Sequence, residues 1–140
     1  MGSPTAIQTR YEMRLSIVAS PEFLMRNPDY ALPPPLSLRG QHEPIVIGNS
    51  EFADLRLPVV PGISDEHGEL LWDNGKVVYA DRYTLDGTSI IWDGEPPICA
   101  RDRQSMELAD LVGKTPPQPV RLRFPGVDGL AISCTFSRKA

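Results

Sequence analysis

Four consecutive residues carry groups that proteins use for catalysis and metal binding: Ser64, Asp65, Glu66 and His67. A serine hydroxyl near a histidine could act as a nucleophile with its base, and a histidine beside carboxylates could hold a metal ion. The strand–turn–helix elbow of a catalytic serine is missing around Ser64, and no clear group is available to orient His67. The other histidine, His42, has no cysteine or aspartate cluster at ligand spacing. We therefore expect a binding loop here, with no catalytic residue, no metal and no cofactor.

Two more polar segments fit the same interpretation. One is Ile47-Gly48-Asn49-Ser50, and the other runs over residues 81–88, from an aspartate to a Gly-Thr pair. Gly48, Gly87 and Thr88 are residue types that form turns, because glycine permits positive φ and threonine bonds to nearby backbone. The sequence thus contains three loops with polar residues suited to binding, and each loop lies between apolar runs.

Short strands, recognisable by alternating apolar and polar residues, must position these loops. Apolar and polar residues alternate in residues 11–20, which is typical of a half-buried strand. Asn74-Gly75 between two such runs predicts a tight hairpin. Residues 22–26 could form one helical turn, residues 33–35 favour polyproline II, and residues 104–112 fit a strand or a short helix. The remaining predicted strands span residues 36–38, 44–47, 54–57, 68–72, 76–80, 89–92, 119–124 and 130–136.

The chain has 15 prolines and 11 glycines, spread between these runs. Strands separated by turns at intervals of roughly 8–12 residues are typical of an antiparallel sandwich or barrel. We therefore predict an all-β fold in a single domain over residues 1–140. Trp72 and Trp92 are expected to cap the core.

The order and spacing of the three loops resemble the forkhead-associated (FHA) family. Its pattern is Gly-Arg, then Ser-x-x-His, then Asp-x-x-Ser-x-Asn-Gly-Thr, which Gly48-Asn49, residues 64–67 and residues 81–88 follow in part. Residues 54–57 stand where the family has an Asp-Ile-x-Leu strand, and the resemblance covers residues 36–97. It implies a sandwich of two twisted, mainly antiparallel sheets with about 9–11 strands, and residues 1–10 as a flexible terminus.

The resemblance also implies recognition of phosphothreonine peptides, with His67 bracing its loop from inside. The phosphate-reading positions differ, however. The family arginine is replaced by Asn49, the loop asparagine by Asp86, and the often basic position after Ser64 is Asp65. Losing one charge-assisted contact costs about 1.5–3 kcal/mol, and these carboxylates would also repel a phosphate. The pattern predicts a retained scaffold whose phosphate-reading chemistry is largely lost.

From this comparison we predict a protein-interaction module that binds through loops 48–50, 64–67 and 84–88 without needing phosphate. The predicted partner-contacting residues are Asn49, Ser50, Ser64, Asp65, Arg82, Thr84 and Asp86, and the predicted structural residues are Gly48, His67, Gly87 and Thr88.

Three alternatives remain open at the level of the sequence. Phosphothreonine binding could persist through Ser64 if a displaced cation, Arg82 or Arg56, replaced the missing arginine. The chain could self-associate through a sheet face as a homo-oligomer. A metal-dependent hydrolase using His67 with Asp65 and Glu66 is the least supported of the three.

Charge and composition narrow the class of partner. The formal net charge is −4, whereas nucleic-acid and anionic-membrane surfaces need clustered Lys and Arg. No apolar run approaches the ~18 residues of a membrane span, and no leader peptide is recognisable, so a cytoplasmic location is expected. Cys99 and Cys134 stand in apolar settings, which predicts two buried, reduced thiols.

Overall fold

The computed structural model describes residues 9–38, 43–82 and 84–139. Residues 1–8 of the expected flexible terminus, and His42, lie outside these ranges. The described residues form eleven strands and one helix. They are β1 (Tyr11–Ala19), α1 (Pro21–Arg26), β2 (Leu36–Leu38), β3 (Ile45–Gly48), β4 (Leu55–Arg56), β5 (Gly68–Asp73), β6 (Lys76–Asp81), β7 (Thr88–Trp92), β8 (Ile98–Ala100), β9 (Ser105–Asp110), β10 (Val120–Arg123) and β11 (Leu130–Arg138).

The strands form two sheets, as predicted. One sheet has six strands in the order β2-β1-β11-β10-β7-β8, and the other has five in the order β4-β3-β5-β6-β9. Every pairing is antiparallel except that of β3 with β4. The long pairing of β1 with β11 runs from Tyr11 opposite Arg138 to Ala19 opposite Leu130. The predicted all-β sandwich is therefore confirmed.

Alternation along the strands builds one hydrophobic core. In β1, Met13 and Leu15 are fully buried while Arg14 between them is exposed. In β10, Val120 and Leu122 are buried and the arginines that follow each of them are exposed. Trp72 and Trp92 pack against this core as partly buried side chains, as expected of capping residues.

Several local predictions are confirmed by their backbone geometry. The turn between β5 and β6 has positive φ at Asn74 (52°) and Gly75 (79°), as a tight primed turn requires. Helix α1 begins with Ser20 as its N-cap, whose side chain accepts from the Phe23 N–H, followed by Pro21 at the first position. The ambiguous residues 104–112 contain strand β9 and no helix.

Two expectations were incomplete or wrong. Strand β8 was missed because it has three residues, two of them exposed, and shows no alternation that could be read from sequence. Cys99 lies on this strand at the edge of the sheet and is exposed, so its predicted burial is wrong, whereas Cys134 is buried. Both thiols are free. Among the described residues, no helix has the length and apolar character needed to cross a membrane.

The register of the five-stranded sheet gathers the three loops. Gly68, at the start of β5, pairs with Ile47 near the end of β3 and with Asp81 at the end of β6. The loop that leaves β3, the loop that enters β5 and the loop that leaves β6 consequently meet at one end of the sandwich. Loops at the end of a rigid sandwich are a common location for binding residues.

Candidate functional site

Backbone hydrogen bonds join the first loop to the second. The Asn49 N–H donates to the Ser64 carbonyl oxygen, and the Ser50 N–H donates to that of Asp65, both at 3.1 Å. Gly48 makes this approach possible, because a Cβ atom at that position would collide with the Asp65 carbonyl group. The two loops thus form one structure that tolerates only glycine at residue 48 without a shift of backbone.

His67 joins the second loop to the third. Its side chain is fully buried, its Nδ1 accepts from the Ser64 N–H at 3.1 Å, and its Nε2 lies 2.9 Å from the Gly87 carbonyl oxygen. The Phe124 ring packs edge-on against the imidazole, with 5.0 Å between centroids. Burial lowers the pKa of His67 below its ordinary value, which favours the neutral ring. Both nitrogens are used in bracing backbone, which leaves neither for a metal or a substrate.

The third loop is held from inside by Thr84. Its N–H and hydroxyl donate to the two carboxylate oxygens of Asp81, at 3.0 and 2.6 Å, and its hydroxyl oxygen accepts from the Gly87 N–H at 3.0 Å. Thr84 is predicted above to contact a partner, but its side chain is only 6% exposed because these bonds turn it inward. Asp81, which begins the third motif but was not among the predicted site residues, is equally a structural residue of this loop.

Thr88 is also buried and hydrogen-bonded within the fold. Its hydroxyl lies 2.6 Å from that of Tyr79, and both side chains are fully buried. Gly68 packs directly on the Tyr79 hydroxyl, where a Cβ atom would not fit. Burial raises the pKa of Tyr79, so this phenol stays protonated and bonded at neutral pH.

Asn49, at the position of the family arginine, also faces inward. Its side-chain amide donates to the Ile63 carbonyl oxygen at 2.9 Å. Ser50 uses its hydroxyl locally, accepting from the Phe52 N–H at 3.1 Å. Both predicted contact residues are half-buried and contribute bonds within their own loops.

Arg82 is flanked by two carboxylates. Its guanidinium lies 3.1 Å from a carboxylate oxygen of Glu66 and 3.0 Å from one of Glu69. The Arg82 side chain is 36% exposed, and those of Glu66 and Glu69 are 55% and 21% exposed. A phosphate that approached Arg82 would have to displace or adjoin two like charges. This arrangement disfavours Arg82 as the displaced phosphate-binding cation.

What the three loops present to solvent is mainly acidic. Asp65, Glu66 and Asp86 are exposed, and we call these three residues the acidic rim. Ser64 is exposed beside them, and Leu85 next to Asp86 is 89% exposed. The acidic rim is therefore bordered by one exposed hydroxyl, that of Ser64, and one exposed apolar side chain, that of Leu85.

A fourth segment borders the site and was not foreseen from sequence. The turn between β8 and β9 contacts the third loop, since the Asp102 N–H donates to the Thr84 carbonyl oxygen at 3.3 Å. Asp102 and Arg103 have positive φ, at 49° and 71°, which is costly for residues other than glycine. The turn brings Arg101 against Gly87. Only the pairing of β7 with β8 could have revealed this turn, and β8 is too short to be recognised from its residues.

Within the described residues, no group of three or more His, Cys, Asp or Glu side chains could hold a metal ion. Arg56, the other candidate cation, lines a separate cleft beside β4. The structure thus brings together the three predicted loops, and Arg56 lies beside the first of them, where it pairs with Gly48 across β3 and β4.

No protein-family model and no curated protein matches the chain. Solved structures do match. The FHA domain of an Arabidopsis thaliana hypothetical protein has a TM-score of 0.60 at 16% identity, covering 100% of this chain and 98% of that one. The N-terminal FHA domain of S. cerevisiae Rad53p, solved with a phosphothreonine peptide, has a TM-score of 0.54 at 12% identity, covering 88% and 93%. The Rv1747 FHA-1 domain of Mycobacterium tuberculosis has a TM-score of 0.51 at 21% identity, covering 90% and 98%.

These similarities extend over nearly the whole of each chain. Together with the two-sheet topology, they show that this protein has the forkhead-associated fold.

Proposed function

We propose that this chain is a protein-interaction module that binds an unphosphorylated partner through the acidic rim. The observation that carries the proposal is the pairing of Arg82 with Glu66 and Glu69. The Arg82 guanidinium is already neutralised, and the Asn49 side chain is bonded to the Ile63 carbonyl oxygen. Neither side chain is therefore available to balance the negative charge of a phosphate.

The chemistry of the rim indicates the kind of partner. Exposed carboxylates attract Lys and Arg and accelerate their encounter, and they repel phosphorylated segments. Leu85 adds an exposed apolar contact next to Asp86. A segment with a basic side chain close to an apolar one matches both features.

The fold supports a peptide-binding role, since Rad53p, which shares it, was solved with a phosphothreonine peptide. The residues of the loops differ from the family pattern here, so the mode of recognition is argued from the residues present. Catalysis is not proposed, because His67 uses both ring nitrogens on backbone groups.

Phosphothreonine binding is the second candidate function. Ser64 is exposed, and the turn between β8 and β9 brings Arg101 against Gly87. An arginine there could supply the fork that a phosphate prefers. The nearby rim carboxylates oppose it, which is why it ranks second.

The experiment is a binding measurement with neutralised rim residues. A basic peptide selected from an unphosphorylated library would be titrated against the wild type and the Asp65→Asn/Asp86→Asn variant, by fluorescence anisotropy. We expect about tenfold weaker binding from the loss of two attractive charges.

The matched control is Asp73→Asn/Asp93→Asn. It changes net charge equally at the β5–β6 and β7–β8 turns, which lie at the other end of the sandwich, and it should bind like wild type. Equal affinity of the rim variant and this control would refute the rim as the binding surface.

A further inference from the structure

A second concave surface lies outside the three loops. It is a cleft of about 470 Å³ between the segment that follows α1 and the segment that begins at β4. Its lining includes Arg26, Tyr30, Arg56 and Val59. A volume of this size is typical of ligand-binding clefts, which are about 300–1,000 Å³.

Hydrogen bonds and ring packing tie the two walls of the cleft together. The Tyr30 hydroxyl donates to the Arg56 carbonyl oxygen at 3.0 Å, across the cleft. The Tyr30 ring packs edge-on against buried Phe23, with 6.5 Å between centroids. The backbone N–H of Tyr30 donates to the Asn27 carbonyl oxygen at 3.1 Å. Burial raises the pKa of Tyr30 to about 12, so its hydroxyl remains a donor at neutral pH. The cleft is therefore formed by fixed backbone.

The charges that line the cleft contrast with the rest of the chain. Arg26 and Arg56 are both exposed, and in the part of the chain that the structure describes neither guanidinium has an ion-pair partner. Asp29 is the one carboxylate among the lining residues. Two arginines against one aspartate make this cleft positive, whereas the whole chain has a net charge of −4.

We propose that the cleft binds an acidic peptide segment of a partner protein. The planar guanidinium groups of Arg26 and Arg56 suit the geometry of carboxylates. Val59 is 77% exposed at the same cleft, and Pro58 beside it also lines the wall, so an apolar side chain of the segment would have a surface to cover. A free inorganic anion would use the arginines alone and leave this apolar wall uncovered.

This site is independent of the acidic rim. Its charge is opposite in sign, and none of its lining residues belongs to loops 48–50, 64–67 or 84–88. Failure of one proposal would therefore leave the other unaffected.

The test uses the isotope-labelled full chain and a short unphosphorylated peptide containing glutamates and one leucine. We expect amide chemical-shift changes at Asn27, Tyr30 and Arg56 and little change in the 64–67 and 84–88 loops. A twin peptide with glutamine in place of glutamate should bind at least about tenfold more weakly.

Variants locate the binding groups. The Arg26→Gln/Arg56→Gln variant should bind the glutamate peptide about tenfold more weakly than wild type, and Asp29→Asn should bind it a few-fold more tightly. The control Arg121→Gln/Arg123→Gln removes the same charge from exposed positions on β10 and should leave affinity unchanged.

Three results would overturn the proposal. The first is equal affinity for the glutamate and glutamine peptides, and the second is an equal loss of affinity in the Arg121→Gln/Arg123→Gln control. The third is that amide chemical-shift changes are confined to the 64–67 and 84–88 loops. A separate titration with inorganic phosphate distinguishes a peptide site from a small-anion site. If phosphate reproduced the peptide's shift changes at the same concentration, the cleft would be a small-anion site and not a peptide site.

Discussion

The imidazole Nε2 of His67 lies 2.9 Å from the carbonyl oxygen of Gly87, and this bond connects two loops that are separated by the whole β5–β6 hairpin. The other ring nitrogen accepts from the Ser64 N–H. Only the neutral ring with its proton on Nε2 can make both bonds, because a proton on Nδ1 would face the Ser64 donor. One buried side chain therefore fixes the spacing of the candidate binding loops.

This arrangement predicts a loss of stability in mild acid. The pKa of His67 is lowered in the folded state because burial disfavours the charged ring. Above the unfolded pKa of about 6.5 the ring is neutral in both states, and its contribution to stability is complete. Below that pH the unfolded chain takes up a proton that the fold resists, so the free energy of unfolding decreases, by up to about 1.4 kcal/mol per pH unit.

Urea unfolding between about pH 7.5 and 5.5 measures this slope. The His67→Gln variant should show a smaller slope, and His42 cancels because both proteins contain it. Identical slopes would contradict the account of the buried neutral ring.

Thr84 is predicted to be a stabilising residue of the third loop. Thr84→Val keeps the shape but removes the hydroxyl that donates to Asp81 and accepts from Gly87. Leaving a buried carboxylate oxygen and an N–H unpaired should cost about 2–4 kcal/mol in the free energy of unfolding. Thr84→Ser retains the hydroxyl and should cost about 1 kcal/mol for its missing methyl group. Equal losses in the two variants, measured by urea unfolding, would show that the hydroxyl is unimportant.

Arg82 should become a phosphate-binding group once its carboxylates are neutralised. In Glu66→Gln/Glu69→Gln the guanidinium loses both ion pairs. We expect a preference for phosphothreonine peptides over unphosphorylated twins to appear, of roughly tenfold.

The control Glu95→Gln/Glu107→Gln makes the same charge change on residues outside the three loops and should show no preference. Folded Glu66→Gln/Glu69→Gln protein without any preference would mean that Arg82 cannot reach a phosphate bound at Ser64.

The two thiols should differ sharply in reactivity. Cys99 is exposed, whereas Cys134 is fully buried and burial raises its pKa to about 12. The thiolate is the reactive form, so a colorimetric disulfide reagent should label one thiol in the native protein and two in urea. Cys99→Ser should abolish native labelling. Two thiols reacting at equal rates in the native state would contradict the burial of Cys134.

Much of the fold was predictable because its signals are local. Alternation marked most strands, and Asn74-Gly75 marked the β5–β6 hairpin with the positive φ values that the turn requires. The three loops were expected to form one site because their order resembles that of the forkhead-associated family, and the strand register brings them together.

What the sequence could not supply depends on contacts between distant residues. Strand β8 is too short to show alternation, and the turn that brings Arg101 to Gly87 was missed with it. The inward direction of the Asn49 side chain is a tertiary property. So is the pairing of Arg82 with Glu69, which requires the register of β5 against β6.

Recognition without phosphate is best tested with two degenerate peptide libraries, one with phosphothreonine and one with threonine at the fixed position. Each would be titrated against the wild-type chain by fluorescence anisotropy at the same salt concentration. We expect the phosphate to give no gain in affinity, and binding to be concentrated in library members that carry Lys or Arg. Tighter binding of the phosphorylated library would contradict phosphate-independent recognition and make phosphothreonine binding, with Arg101 as the first cation to test, the leading function.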